Sequence, residues 1–384
     1  MHGPPMADRH LADPIEALAA ECGRVLRDRL APGRVAVPRQ LTGVTARWLS
    51  ATCGAAVHSV VVASTESGTT TRAILRTEAD GLPASVFVKL APTALRTRMF
   101  VDLVRLGHNE VLFYRHLGDL VPLAVPRCFG ALVDPATGRF ALVLEDLGAR
   151  GCVFGDLRSG VGAHRAGRVV RALARMHGAF WADPRFSAKM SWVVAERDAP
   201  ARSLTRGLVI RALRRAGARF PHIVPAPMQR ELEWLAHRYD PVQTLLWAGP
   251  PTLTHGDPHP GNVAFDGDDP VFFDWQVVRK GPAWRDVAYF LTLSVDPEVR
   301  SVHERELIGL YAESLAAAGG PPFSADEAWS HYRAHAVDAL VAAAFTAVFG
   351  GMQAAPIAET GLERALKAAA ELYTFALLRH QLGG

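Results

Sequence analysis

Three polar residues, Asp257, Asn262 and Asp274, stand among apolar runs in the stretch LTHGDPHPGNVAFDGDDPVFFDWQVVRKGPAWRDVAYF, Leu253 to Phe290. Val263-Ala264-Phe265 and Val271-Phe272-Phe273 are short β-like runs, and Asp266-Gly267-Asp268-Asp269 between them has the composition of a tight turn. The spacing predicts a β-hairpin with its midpoint near Asp268, six residues after Asn262 and six before Asp274. Folding it brings an amide and a carboxylate side by side at the open end. Such a pair, with room for waters and phosphate oxygens, suits Mg²⁺, a hard cation usually held by one or two carboxylates plus substrate phosphates. Asp257 lies just upstream, where Pro258, Pro260 and Gly261 resist regular structure, so its carboxylate can face the same opening. A free carboxylate beside a metal site is a candidate base.

The elements that must carry these residues can be read from the start of the chain. Asp13-Pro14 reads as an N-cap and first helical residue, followed by apolar residues at helical spacing. A second helix is expected from Thr45 to Thr52, stopped by Gly54. From Val57 to Leu90 the pattern becomes β: Val60–Val62, Arg72–Arg76 and Ser85–Leu90, separated by turn-rich Ser64–Thr70 and Glu78–Pro83. That predicts an antiparallel sheet. Val169, Leu173, Met176 and Phe180 make an apolar seam along a helix from Arg165 to Trp181, within which His177 reads as a packed histidine. Between Asp183 and Pro250 six prolines are expected to break the chain into short helices. Ser324-Ala325-Asp326-Glu327 is a capping box, and Leu362 to Ala376 continues a helical pattern.

Composition excludes several classes. The chain has 384 residues, 49% of them apolar and 21% charged, with no repeat or low-complexity tract, as in ordinary globular proteins. The net charge of +4 comes without a basic block interleaved with aromatics, so no nucleic-acid partner is expected. The longest apolar run, Ala339–Met352, is shorter than the roughly 20 residues of a membrane span, so no stable membrane insertion is expected. Cys22, Cys53, Cys128 and Cys152 are scattered and read as reduced thiols. With an N-terminus lacking the apolar core of a secretory signal, they suggest a cytoplasmic protein.

The strings HGDPHPGN (His255–Asn262) and FFDWQ (Phe272–Gln276) resemble the catalytic loop and metal-binding segment of the aminoglycoside phosphotransferase and choline kinase families, relatives of protein kinases. The kinase signature is H-R-D-L-x-x-x-N followed by D-F-G. Here the Asp-to-Asn spacing is kept, Gly256 replaces Arg, and Asp274-Trp275-Gln276 replaces the DFG triplet. Asp-Trp-Gln followed by Gly281, Asp286 and Tyr289-Phe290 is similar to the ecdysteroid-kinase-like branch.

The resemblance implies an α+β, bilobal protein-kinase-like fold: a small N-lobe with an antiparallel sheet over residues 1–144, and a larger, mainly helical C-lobe over 145–384. It implies transfer of the γ-phosphoryl group of ATP, with Mg²⁺, to a small-molecule hydroxyl acceptor by a monomer or weak homodimer. Lys89, ending a Val-Phe-Val-Lys strand, then corresponds to the lysine that reaches the α and β phosphates. Glu110 is its partner on a following helix. The Ser67-Gly68-Thr69 loop lies over the phosphates, although its single glycine departs from the G-x-G-x-x-G form. Glu145 to Leu147 is the hinge that meets the adenine edge. Asn262 and Asp274 hold the metal and Asp257 is the base. His255 and Asp286 belong to the scaffold, and Arg279 and Lys280 face solvent.

Asp183–Pro250 holds eleven Arg or Lys against six Asp or Glu, together with Trp192, Trp234, Trp247 and other apolar residues. A polycationic sugar needs clustered carboxylates to replace its hydration, so this region points to a neutral or anionic, rather apolar alcohol. A cationic aminoglycoside or choline-type acceptor is the alternative. A nucleotide-binding pseudokinase would not need Asp257, and a two-metal hydrolase would leave Lys89 unused.

Overall fold

Along Ser85–Leu90 the side chains alternate: Val86, Val88 and Leu90 are buried against one layer, and Lys89 points to the opposite face of the sheet. A computed structural model of the chain describes residues 14–30, 33–199 and 201–383. The first elements are α1 (Pro14–Leu30), α2 (Ala46–Cys53), β1 (Ala56–Ser67), β2 (Thr71–Asp80), β3 (Ser85–Leu90), α3 (Leu95–Leu103), α4 (Leu106–His116), β4 (Cys128–Val133) and β5 (Phe140–Glu145). The five strands form one antiparallel sheet in the order β1-β2-β3-β5-β4. On one face Leu49 of α2 packs with Leu75, Val86, Val88 and Val143. On the other lies α4.

Seating α4 requires a small residue. A Cβ on Gly107 would stand 2.0 Å from the Phe140 ring, so glycine lets the helix approach β5 closely enough to hold Glu110 beneath β3.

The remaining elements are α5 (Ala163–Ala179), α6 (Arg202–Arg219), α7 (Ala226–Leu246), β6 (Thr252–Thr254), β7 (Val263–Asp266), β8 (Asp269–Phe272), β9 (Arg279–Gly281), α8 (Ala283–Ser294), α9 (Pro297–Ala317), α10 (Ala325–Phe349), α11 (Ala355–Glu371) and α12 (Thr374–Gln381). One core runs from Val111 and Phe113 of α4 through Leu173 and Met176 of α5 to Val287, Phe290 and Tyr311 of α8 and α9, joining the sheet-bearing part to the helical part. A second core fills the space among α6, α7, α10 and α11.

Two helix-capping expectations hold. Thr45 caps α2, accepting from the Trp48 N–H, and Gly54 closes it with φ 65°. Ser324 and Glu327 form the capping box of α10, which carries the Ala339–Phe349 part of the long apolar run. Among the described residues no helix is long and apolar enough to cross a membrane, and all four cysteines are free thiols.

Others are corrected. β1 continues through Ser64–Ser67 and β2 reaches Asp80, so both turns are shorter than composition suggested. Short helices appear only at the start of Asp183–Pro250, as the 3₁₀ turns Pro184–Ser187 and Glu196–Asp198, while the prolines leave α6 and α7 long. Pro225 is the N-cap of α7 and Pro227 lies in its first turn, where no donor is needed, and Pro241 is carried inside this 21-residue helix. The C-terminal pattern divides into α11 and α12 at Tyr373, whose φ is 51°. Asp13 and Pro200 lie outside the described residues.

Candidate active site

The β7–β8 hairpin pairs Val263 with Phe272 and Asp266 with Asp269, so its turn is Gly267-Asp268. This register sets Asn262 opposite Phe273, whose N–H donates to the Asn262 carbonyl at 3.0 Å. Asp274 is one residue further on, outside the ladder, with φ 62° and ψ 62°. Aspartate tolerates this left-handed conformation better than most residues, and the backbone there turns the carboxylate toward β3.

Lys89 meets it. Its Nζ lies 2.7 Å from Glu110 Oε2 and 3.0 Å from Asp274 Oδ1, bringing together residues from β3, α4 and the segment after β8. The lysine and glutamate are almost fully buried, while a quarter of the Asp274 side chain is exposed. Burial opposes the ammonium, but Asp274 and Glu110 outweigh it and raise the Lys89 pKa above its ordinary value. Burial pushes Glu110 up to about 7, against the pull of Lys89.

Asp257 lies on the loop between β6 and β7. The Asn262 amide Nδ2 donates to the Asp257 carbonyl at 3.0 Å and to its Oδ2 at 3.1 Å. Both partners are acceptors, which assigns the amide's orientation and turns its Oδ1 away from Asp257. The Tyr289 hydroxyl donates to Asp257 Oδ1, and His259 Nε2 is 3.6 Å from Oδ2. Burial raises the carboxyl's pKa, but His259 and the Tyr289 hydrogen bond prevail and hold it below the ordinary carboxylate range. Asp257 is therefore ionised at neutral pH.

The loop is held from below by α8. Buried Asp286 accepts the His255 N–H at 2.6 Å and the Gly256 N–H at 3.0 Å, and Arg285 donates to the Gly256 carbonyl at 2.6 Å. His255 Nδ1 accepts the Asp257 N–H at 3.3 Å, leaving Nε2–H to donate to the Phe273 carbonyl at 3.0 Å. The histidine thus ties the loop to the hairpin, and burial lowers its pKa so that it stays neutral. Gly256 has φ 88°, and a Cβ there would lie 2.4 Å from the Val277 carbonyl oxygen. That is why this position has no side chain. His177 is buried and hydrogen-bonded, 2.8 Å from the Tyr311 hydroxyl.

The other expected residues lie at the edges of this group. Ser67 ends β1, and Gly68-Thr69 belong to the turn before Thr71, which pairs with Leu90 beside Lys89. The Gly68 N–H donates to the Thr70 carbonyl at 3.1 Å. Glu145 ends β5 and its side chain accepts the Arg127 N–H at 3.1 Å. The Leu147 carbonyl accepts the Cys152 N–H at 2.9 Å, and its side chain packs with Ala264, Val271 and Phe273. Arg279 does not face solvent: it pairs with Glu196 and donates to the Val277 carbonyl, because β9 runs beside β6 and draws it inward.

A model of the phosphotransferase enzyme family matches residues 62–334. The chain belongs to that family.

This phosphotransferase has a bilobal α+β fold. Its small antiparallel lobe packs on a larger helical one. Among solved structures it is similar to a macrolide 2'-phosphotransferase from Brachybacterium faecium, with 18% identity, TM-score 0.44, and coverage of 85% of this chain and 98% of that one. It is also similar to choline kinases from Streptococcus pneumoniae (14% identity, TM-score 0.46, 82% and 94% covered) and Cryptosporidium parvum (10%, 0.48, 85% and 90%). No curated protein sequence matches it.

Three contributors escaped the sequence reading of this phosphotransferase. Tyr289 entered only as part of a resemblance, and His259 lay inside the loop motif without a role. The stacking of Trp275 on Phe113, with centroids 3.9 Å apart and planes 6° apart, was not anticipated. The spacing Arg285-Asp286-x-x-Tyr289 on one helical turn was the available signal.

Proposed function

We propose that the chain transfers the γ-phosphoryl group of ATP, with Mg²⁺, to a hydroxyl of a neutral or anionic small molecule. The observation that carries the reading is the closed Lys89–Glu110–Asp274 cluster beside an ionised Asp257. Residues from three separate segments converge there as phosphoryl transfer requires, because catalysis of a loose transition state rests on positioning and charge neutralisation.

The residues fit the metal. Asn262 Oδ1 is turned away from Asp257, and Asp274 keeps Oδ2 beside the Oδ1 that Lys89 engages, so an amide and a carboxylate oxygen are available to a hard cation. Bound Mg²⁺ would supply charge neutralisation at the phosphate oxygens. Lys89 steadies the α and β phosphates, held by Glu110. The Leu147 carbonyl is already engaged, so its N–H is what the hinge from Glu145 to Leu147 offers the adenine edge. The hydroxyls of Ser67 and Thr69 cap the phosphates, with Gly68 shaping the turn. Asp257 accepts the acceptor's proton as that oxygen bonds to phosphorus and the bond to the ADP oxygen breaks. Residues 1–144 thus serve the nucleotide, and 145–384 carry the hinge, the catalytic loop and the acceptor site of a monomer or weak homodimer.

The acceptor class rests on charge. Arg211, Arg214, Arg215 and Arg219 of α6 are exposed, and this surface does not favour a polycation. The apolar side chains counted from sequence lend less support, since Phe186, Phe220 and Trp247 are buried in the cores. The test is MgATP consumption across a panel of hydroxysteroids, polyketide alcohols, sugars, choline and kanamycin-type aminoglycosides. Turnover of the uncharged alcohols is expected. Efficient phosphorylation of kanamycin alone would overturn the acceptor class.

A further inference from the structure

Asp257 has two carboxylate oxygens, and a base needs one of them aimed at the acceptor. Oδ1 accepts the Tyr289 hydroxyl, while Oδ2 accepts a single hydrogen bond from Asn262 at 3.1 Å, with His259 at 3.6 Å. A carboxylate oxygen has two lone-pair directions, so Oδ2 can receive one more donor. Tyr289 is 7% exposed, its ring lies under the Arg285 guanidinium at 5.7 Å, and it rises from α8 one turn after Arg285 and Asp286, which hold the loop backbone. The helix therefore fixes the backbone of the loop at one level and the carboxylate at the next. Burial raises the phenol's pKa well above its ordinary value, so it remains a donor.

We infer that Tyr289 is a positioning residue: by capping Oδ1 it sets the carboxylate's rotation and makes Oδ2 the oxygen presented to the acceptor hydroxyl. The inference rests on Asp257 acting as the base. Without the phenol hydroxyl the carboxylate is held at Oδ2 alone, by Asn262 with His259 nearby, and the geometry needed for proton transfer is kept only part of the time.

Tyr289→Phe keeps the ring and its packing and removes only the donor. Expected for this variant is a fall in kcat of about ten- to a hundredfold, with the KM for MgATP unchanged and the melting temperature lowered by only a few degrees. Turnover is read as ADP release, with water and with the fastest alcohol of the panel as acceptors. In an Asp257→Asn background the same substitution should cause no further loss, because it acts through a group already disabled. A kcat within twofold of wild type, or equal losses in both backgrounds, would overturn the inference. A crystal structure of Tyr289→Phe gives a reading independent of turnover: an Asp257 carboxylate unmoved from its wild-type rotamer sinks the positioning role alone. Absence of any phosphoryl transfer by the wild-type protein sinks the kinase reading instead.

Discussion

Lys89 is one cation between two carboxylates, and the imbalance has consequences for each residue around it. Burial already brings Glu110 up to about 7, so the glutamate can take a proton when its partner is lost. Lys89→Met is therefore expected to remove MgATP binding while costing less stability than the roughly 3–5 kcal/mol of an orphaned buried charge. Urea titration and calorimetric binding check the two halves. Asp274 and Asp257 divide differently. Asp274→Ala should abolish Mg²⁺-dependent nucleotide binding, whereas Asp257→Asn should leave it within a few-fold and lower turnover by about 10²–10⁴; titrating a nonhydrolysable ATP analogue with Mg²⁺ into each variant separates them, and equal losses would refute the assignment. Asp257, Asn262 and Asp274 could be picked out in the sequence because the hairpin and its preceding loop set their spacing, whereas Lys89 and Glu110 were reached only through the family resemblance. Tyr289 and His259 were missed, since each acts through a contact that exists only after α8 and the loop have packed.

At the scale of elements, α4 matters most, because it must approach β5 closely and still present Glu110. Gly107→Ala places a methyl into the Phe140 ring and is expected to destabilise the protein by about 1–3 kcal/mol. Nucleotide affinity should fall with it; an unchanged denaturation midpoint would show that the helix can shift freely. The same helix carries His108, whose pKa is lowered to about 4 by burial and by the neighbouring Arg105, Arg24 and Arg115. Its folded value lies below its unfolded one, so between about pH 4 and 6.5 the unfolded chain binds the extra proton and stability rises with pH. Melting temperature should thus drop on acidification through this window, and His108→Gln should lessen the drop. Composition served well at helix boundaries, as at Gly54, which closes α2, and Ser324, which opens α10. It misled in α7, since proline reads as a breaker in sequence but starts a helix when it occupies the first turn.

Across the whole molecule the two lobes meet through an aromatic column. Phe113 of α4 stacks on Trp275, and Trp275 lies 4.4 Å from the His255 ring. The sequence revealed each lobe's class through its own periodicity, but could not show this column, in which Phe113 is more than a hundred residues from His255 and Trp275. One further feature of the interface lends itself to chemical footprinting. The chain has only four lysines, Lys89, Lys189, Lys280 and Lys367; Lys189 and Lys367 are exposed, whereas Lys89 is 2% exposed and held as an ammonium by its two carboxylates. Amine acylation needs a neutral, reachable nitrogen, and Lys89 offers neither while the lobes stay closed. Its rate of modification, followed by peptide mass spectrometry against the exposed lysines as internal clocks, should report how often the cleft opens.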